Sequence, residues 1–187
     1  MPDDDLAHRV GLPDALRVLL EQYPRDMWES HRNFDGLTRF WLERHLMFRG
    51  ALAQWQQDTQ GFLDKGRDPD AHGQMTARIG GFLINELHGH HQIEDAHYFP
   101  KLSATETRLS RGFELLDADH HALDAQLHAL TEAANAHLRA LSQGADARTS
   151  AGAMLKRLDG FEGFLNRHLV DEEELVVPVI LHHALRF

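Results

Sequence analysis

The chain has 187 residues, 42% hydrophobic and 26% charged, which fits one medium globular domain with a sizeable core and excludes a largely disordered polypeptide. A formal charge of -10 and a pI near 5.8, with lysines and arginines scattered among acids, exclude a nucleic-acid or anionic-membrane partner, because both need a basic stripe. Cysteine is absent, which removes disulfides, thiolate metal sites and thiol catalysis and leaves His, Asp and Glu to hold any metal.

The chain starts Met1-Pro2-Asp3-Asp4-Asp5, acidic and without the positive region of a secretory signal, and no apolar run approaches the roughly 18 residues of a membrane span. A cytoplasmic protein is expected. Leu12-Pro13-Asp14, followed by Leu16, Leu19 and Leu20, predicts a short amphipathic helix with proline in its first turn. Residues 1–25 read as an N-terminal extension packing on a bundle formed by 26–187, with a homodimer contact as the alternative.

Strand periodicity is weak, and four long segments carry apolar residues at helical spacing. The first, about 34–64, turns Phe34, Leu37, Trp41, Phe48, Leu52 and Trp55 inward and stops at Lys65-Gly66 and Asp68-Pro69. The second, about 72–98, carries Met75, Ile79, Phe82, Leu83, Leu87 and Ile93, and Pro100 ends or kinks it. The third, about 105–142, carries Phe113, Leu116, Leu123, Leu127 and Leu130 and stops near Gly144. The fourth, about 147–175, carries Leu155, Leu158, Phe161, Leu165 and Leu169 and resumes past Pro178. Short loops between long helices favour antiparallel neighbours, so the expected fold is all-α, an up-down-up-down four-helix bundle with a short extra N-terminal helix.

One signature occurs twice: His90-x-x-x-Glu94 followed by Pro100, and His168-x-x-x-Glu172 followed by Pro178 at the same offset. Residues four apart share a helix face, so each copy presents an imidazole beside a carboxylate. His45 precedes the first copy and His120 the second at comparable distance, which makes each half a helical hairpin with a lone histidine and a His/Glu pair. In a bundle such ligands converge, and His45, His90, Glu94, His120, His168 and Glu172 exceed the needs of a single ion. Two ions with carboxylate oxygen between them would use this set well. An all-nitrogen-and-oxygen set suits iron, manganese or zinc, with a pair of iron ions the leading choice. Asp124, His91, His97 and Glu173 are further candidates for the first shell; the register favours Glu172 over Glu173, and His91 is expected on the surface or at an interface. His72 and His137 are expected to be exposed or capping.

His90-His91-Gln92-Ile93-Glu94-Asp95 with Tyr98-Phe99-Pro100, together with His168, Glu172 and Pro178, resembles the hemerythrin-like HHE cation-binding domain over about residues 30–183. The resemblance implies a four-helix bundle around a non-haem di-iron centre with an open position for O2 or a related ligand. Carried over by position, His45, His90, His120 and His168 would be terminal ligands, and Glu94 and Glu172 would bridge. The oxygen-carrier branch has a second histidine one turn away on the third helix, where this chain has Leu116 and Asp124. The iron-sulfur repair branch brings a cysteine motif that this chain lacks. A ferritin-like reading of Glu94-x-x-His97 finds no second copy of that motif.

The first functional expectation is a binding protein that takes or senses O2, NO or iron. The alternatives are a di-iron oxidoreductase acting on peroxide, NO or ferrous iron, and a bundle stabilised by structural zinc.

Overall fold

A computed structural model describes residues 5–64, 66–144 and 146–187 of the chain; Met1–Asp4 of the acidic start and Lys65 of the expected helix stop lie outside the described residues. Among the described residues there is no strand. The order is a 3-10 turn at Asp14–Leu16, α1 at Val18–Gln22, a 3-10 turn at Arg25–Met27, α2 at Gly36–Leu63 and α3 at Pro69–Ile93. A π-turn at Glu94–Tyr98 leads into α4 at Phe99–Thr105, then a 3-10 turn at Thr107–Leu109, α5 at Ser110–Ser142 and α6 at Ala147–His183. This all-helical architecture is consistent with a helical bundle. No helix among the described residues is long and apolar enough to cross a membrane.

The helix ends follow from side-chain caps that satisfy otherwise orphaned amides. Asp35 accepts from the Thr38 amide at 2.8 Å before α2, and Asp68 accepts from the Ala71 amide at 2.9 Å before α3. The Asp68-Pro69 pair, expected as part of a stop, therefore starts the next helix, with proline at its favoured first position. Asp146 caps α6 through Thr149, and Gly144, at φ 61, terminates α5 in the left-handed conformation.

The two prolines behave differently: the expected interruption near Pro100 is present, since α3 ends at Ile93 and a π-turn follows, whereas the expected pause at Pro178 is absent. α6 continues through Pro178 instead of pausing there. Around Pro100 the chain stays helical as far as Thr105, because the wider π-turn, closed by the Phe99 amide on the Glu94 carbonyl, absorbs the missing donor.

The chain divides into two compact units, with the boundaries falling inside α2, α3, α5 and α6. The first comprises residues up to Leu46, His91–Ala122 and Asn166–Phe187. Its core joins Leu12, Leu16, Leu19 and Trp28 of the N-terminal segment with Trp41, Phe99, Phe113, Leu116 and the run Leu175–Val177. That covering explains why α6 is buried almost continuously from His168 to Leu181, where a one-faced amphipathic pattern would leave an exposed side.

The second unit comprises Met47–His90 and Leu123–Leu165. Phe48, Leu52, Trp55, Leu83, Leu123, Leu158 and Phe161 are buried in it. Phe82, expected inward, is 42% exposed, and in the first unit Ile93 is 51% exposed. His72 and His137, expected outside, are fully buried, because a polar chain satisfies them: Asp58 to His72 Nδ1 at 2.5 Å, His72 Nε2 to His137 Nε2 at 2.9 Å, and His137 Nδ1 to Ser150 at 2.9 Å.

Candidate metal centre

All six side chains singled out by the duplicated signature are buried: His45, Glu94, His168 and Glu172 completely, His120 at 2% and His90 at 8% exposure. His45, His90, Glu94 and Glu172 each offer a ligand atom within 4.8 Å of the others. His90 is the last residue of the second unit, but α3 runs unbroken past it and places it one turn before Glu94. A second group with the same spacing is His91, His120 and His168, all in the first unit. The lone histidine of each hairpin thus falls in one group with its signature histidine, and His91 joins them as a seventh candidate.

The two glutamates reach both groups. Glu172 Oε2 lies 3.5 Å from His45 Nε2 and 3.5 Å from His168 Nε2. Glu94 sits in the first group, and its Oε2 is 3.7 Å from His120 Nε2 in the second. These separations are too long for good hydrogen bonds. They match the spacing of donors on one cation, since atoms each about 2.1 Å from an ion stand roughly 3–4 Å apart.

Burial without compensation points the same way. Neither oxygen of Glu172, nor Nε2 of His120, has a hydrogen-bond partner in the protein. Desolvation, followed by the negative charge of Glu94, pushes the Glu172 carboxyl well above the usual glutamate range. Two buried carboxylates repel unless positive charge lies between them, and a nitrogen-and-oxygen donor set of this kind fits a divalent first-row cation.

Three of the imidazoles are backed by carboxylates on their outer nitrogen. His45 Nδ1 meets Glu173 Oε1 at 3.0 Å, His120 Nδ1 meets Asp95 Oδ1 at 2.7 Å, and His168 Nδ1 meets Asp119 Oδ2 at 3.4 Å. A carboxylate there fixes Nδ1 as the donor, leaving the Nε2 lone pair to face the glutamates. Trp41 donates its indole N–H to Glu94 Oε1 at 2.6 Å, which fixes that carboxylate from the other side. His91 stacks on His120 with ring centroids 4.0 Å apart.

The remaining candidates separate clearly. Glu173, 5% exposed, serves His45 from behind. Asp124 is 43% exposed and pairs with His88 at 3.2 Å, and His97 lies on the surface. A further trio, Glu106, His182 and His183, also brings ligand atoms within 4.8 Å. There Arg108 holds both Glu106 oxygens, at 2.7 and 2.6 Å, and lowers its carboxyl to about 2, so its negative charge is already matched.

Asp95 and Asp119 were not singled out from sequence alone, and His91 and Glu173 were named only as further candidates, although His91, Asp95, Asp119 and Glu173 directly adjoin His90, Glu94, His120 and Glu172 respectively. Acids flanking a metal-ligand signature were the available signal.

The family model of the hemerythrin HHE cation binding domain matches residues 36–180, and the chain belongs to this family. No curated protein and no solved structure matches the chain significantly.

Proposed function

We propose that the chain is a non-haem di-iron protein that binds or senses O2 or NO, built as an up-down-up-down four-helix bundle and working in the cytoplasm. His45 and His90 would hold one ion, His91, His120 and His168 the other, with Glu94 and Glu172 shared. The observation that carries this reading is that both fully buried glutamates approach both histidine groups. Zinc or manganese fits the same donors, so metal identity belongs to the test.

When bound, ferrous ions supply the electrons and the open coordination position that O2 or NO needs. The chain's own residues do the rest: Trp41 fixes Glu94, the outer carboxylates turn each Nε2 inward, and the apolar core keeps water away. His91 supports binding over turnover, because it offers the imidazole missing from α5 at Leu116 and Asp124.

The test is metal analysis of anaerobically prepared protein, then optical spectroscopy on adding O2 or NO. Two irons per chain and a stable new charge-transfer band are expected, with Glu94→Ala losing most of the metal. Decay of the band with product formation would move the reading to an oxidoreductase. Uptake of zinc but not ferrous iron would leave a structural site, and full metal content in Glu94→Ala would remove the shared-carboxylate assignment.

A further inference from the structure

Two arginines preceding α2, both outside the residues matched by the family model, stand directly behind the candidate ligands. The Arg9 side chain is 1% exposed. Its Nε donates to Asp171 Oδ2 at 2.8 Å and its Nη1 to Asp119 Oδ1 at 3.1 Å, while Nη2 grips Asp119 Oδ2 more closely still. That same Asp119 Oδ2 faces His168 Nδ1. Arg25, with its side chain 41% exposed, plays the same part with a different set of bonds: its Nη1 donates to Glu173 Oε2 at 2.7 Å, its Nε to Glu174 Oε1 at 3.3 Å and its Nη2 to the Val170 carbonyl at 3.2 Å, and Glu173 Oε1 faces His45 Nδ1. His45 belongs to one candidate ligand group and His168 to the other, so each group has its own arginine.

We propose that Arg9 and Arg25 are positioning residues of the metal centre, one for each ion, acting through Asp119 on His168 and through Glu173 on His45. The inference rests on the metal-binding reading above. A guanidinium suits the role because its planar fork holds a carboxylate in one orientation, which the single charge of a lysine cannot do. With the carboxylate fixed, its remaining lone pair stays on the imidazole Nδ1–H, and the opposite nitrogen stays aimed at the ion. The N-terminal segment is anchored well enough to serve: Leu12, Leu16, Leu19 and Trp28 are buried in the core, and Arg167 Nη1 donates to the Val10 carbonyl at 2.7 Å.

The experiment compares Arg9→Met, Arg25→Met and the surface control Arg39→Met, whose parent pairs with exposed Glu29 and lies over the Phe34 ring. Affinities for ferrous iron and zinc are measured by chelator competition, alongside metal-free melting temperature. Proton spectra of the cobalt-substituted protein report the exchange of each histidine Nδ1–H. Arg9→Met should weaken one ion by about 10–100-fold and speed exchange at His168; Arg25→Met should do the same for the other ion and His45. Arg39→Met should match the wild type.

Unchanged affinities in both variants would overturn the proposal, as would equal weakening of both ions in step with a lower metal-free melting temperature. Should Arg9→Met fail to fold, Arg9→Lys decides, with weakening confined to one ion expected and wild-type affinity overturning it. A wild-type chain that takes up no ion would sink the metal-binding reading as well, whereas normal uptake without selective loss sinks this inference alone.

Discussion

Replacing Glu172 with methionine should reverse its effect on stability according to whether metal is present. Glu172 is completely buried, its oxygens have no hydrogen-bond partner, and desolvation followed by the charge of Glu94 raises its carboxyl well above the usual range. An unsatisfied buried polar group costs about 1–3 kcal/mol, and an unbranched apolar side chain of similar length removes that cost. At about 2–4 °C per kcal/mol for a chain of this size, metal-free Glu172→Met should melt roughly 4–8 °C above the wild type for a gain near 2 kcal/mol. With iron the order should invert, because a ligand at a hundredfold its dissociation constant adds about 2.7 kcal/mol, which the variant loses with its ion. The pH dependence has a definite sign. A carboxyl raised in the folded state contributes stability below its unfolded value near 4.5, and loses it as pH rises through the folded value, so the metal-free wild type should weaken over that window. Glu172→Met should lack this component. Melts followed by circular dichroism, with chelator or with ferrous iron and at several pH values, read all of these outcomes. A metal-free variant less stable than the wild type, or equal stabilisation of both by iron, would refute the reasoning.

In the second unit, burial and then the charge on His72 push His137 down to about 4 from an ordinary 6.5. A depressed histidine favours folding above its unfolded value and loses that contribution as pH falls from about 6.5 towards 4, with an upper bound of about 3 kcal/mol. Urea melts at several pH values should show this slope in the wild type and not in His137→Gln; an identical slope in both would exclude His137 as its source. A Cβ at Gly80 would stand 2.6 Å from Cη2 of the fully buried Trp55. Overpacking of about 1–3 kcal/mol should then outweigh a helix-propensity gain of about 1 kcal/mol, and Gly80→Ala should lower the melting temperature. At neighbouring Gly81 nothing lies within 4 Å, so Gly81→Ala should be neutral or stabilising; similar losses at both positions would show that the Trp55 contact does not decide the outcome.

The long helices and six of the seven buried His and Glu side chains that fall into the two candidate groups were legible because they rest on local rules. Apolar spacing marked α2, α3, α5 and α6, and the repeated His/Glu spacing marked one face of α3 and of α6. His91 was misread because a step of 100° turns it away from His90, and that argument assumes one focal point. Two separate ligand groups let consecutive residues each join one, and His90 and His91 fall in different groups. His72 and His137 were misread because histidine composition does not reveal burial. Their partners Asp58 and Ser150 lie on other helices, and only tertiary packing brings them into register.

The acids that follow the two glutamates give the duplicated signature a consequence that spacing alone does not show. Both copies carry an acid immediately after the glutamate, Asp95 in the first and Glu173 in the second. Asp95 reaches His120, the lone histidine of the second hairpin, and Glu173 reaches His45, the lone histidine of the first. The repeat is therefore reciprocal beyond the ligands: each hairpin orients an imidazole of the other. The backbone achieves this differently in the two copies, since α3 gives way to a π-turn while α6 stays helical through Pro178. Asp95, inside the π-turn, faces His120, while His97 in the same turn is exposed. Each lone histidine is thus tied to the opposite hairpin, so a change that displaces one hairpin must also disturb an imidazole held by the other.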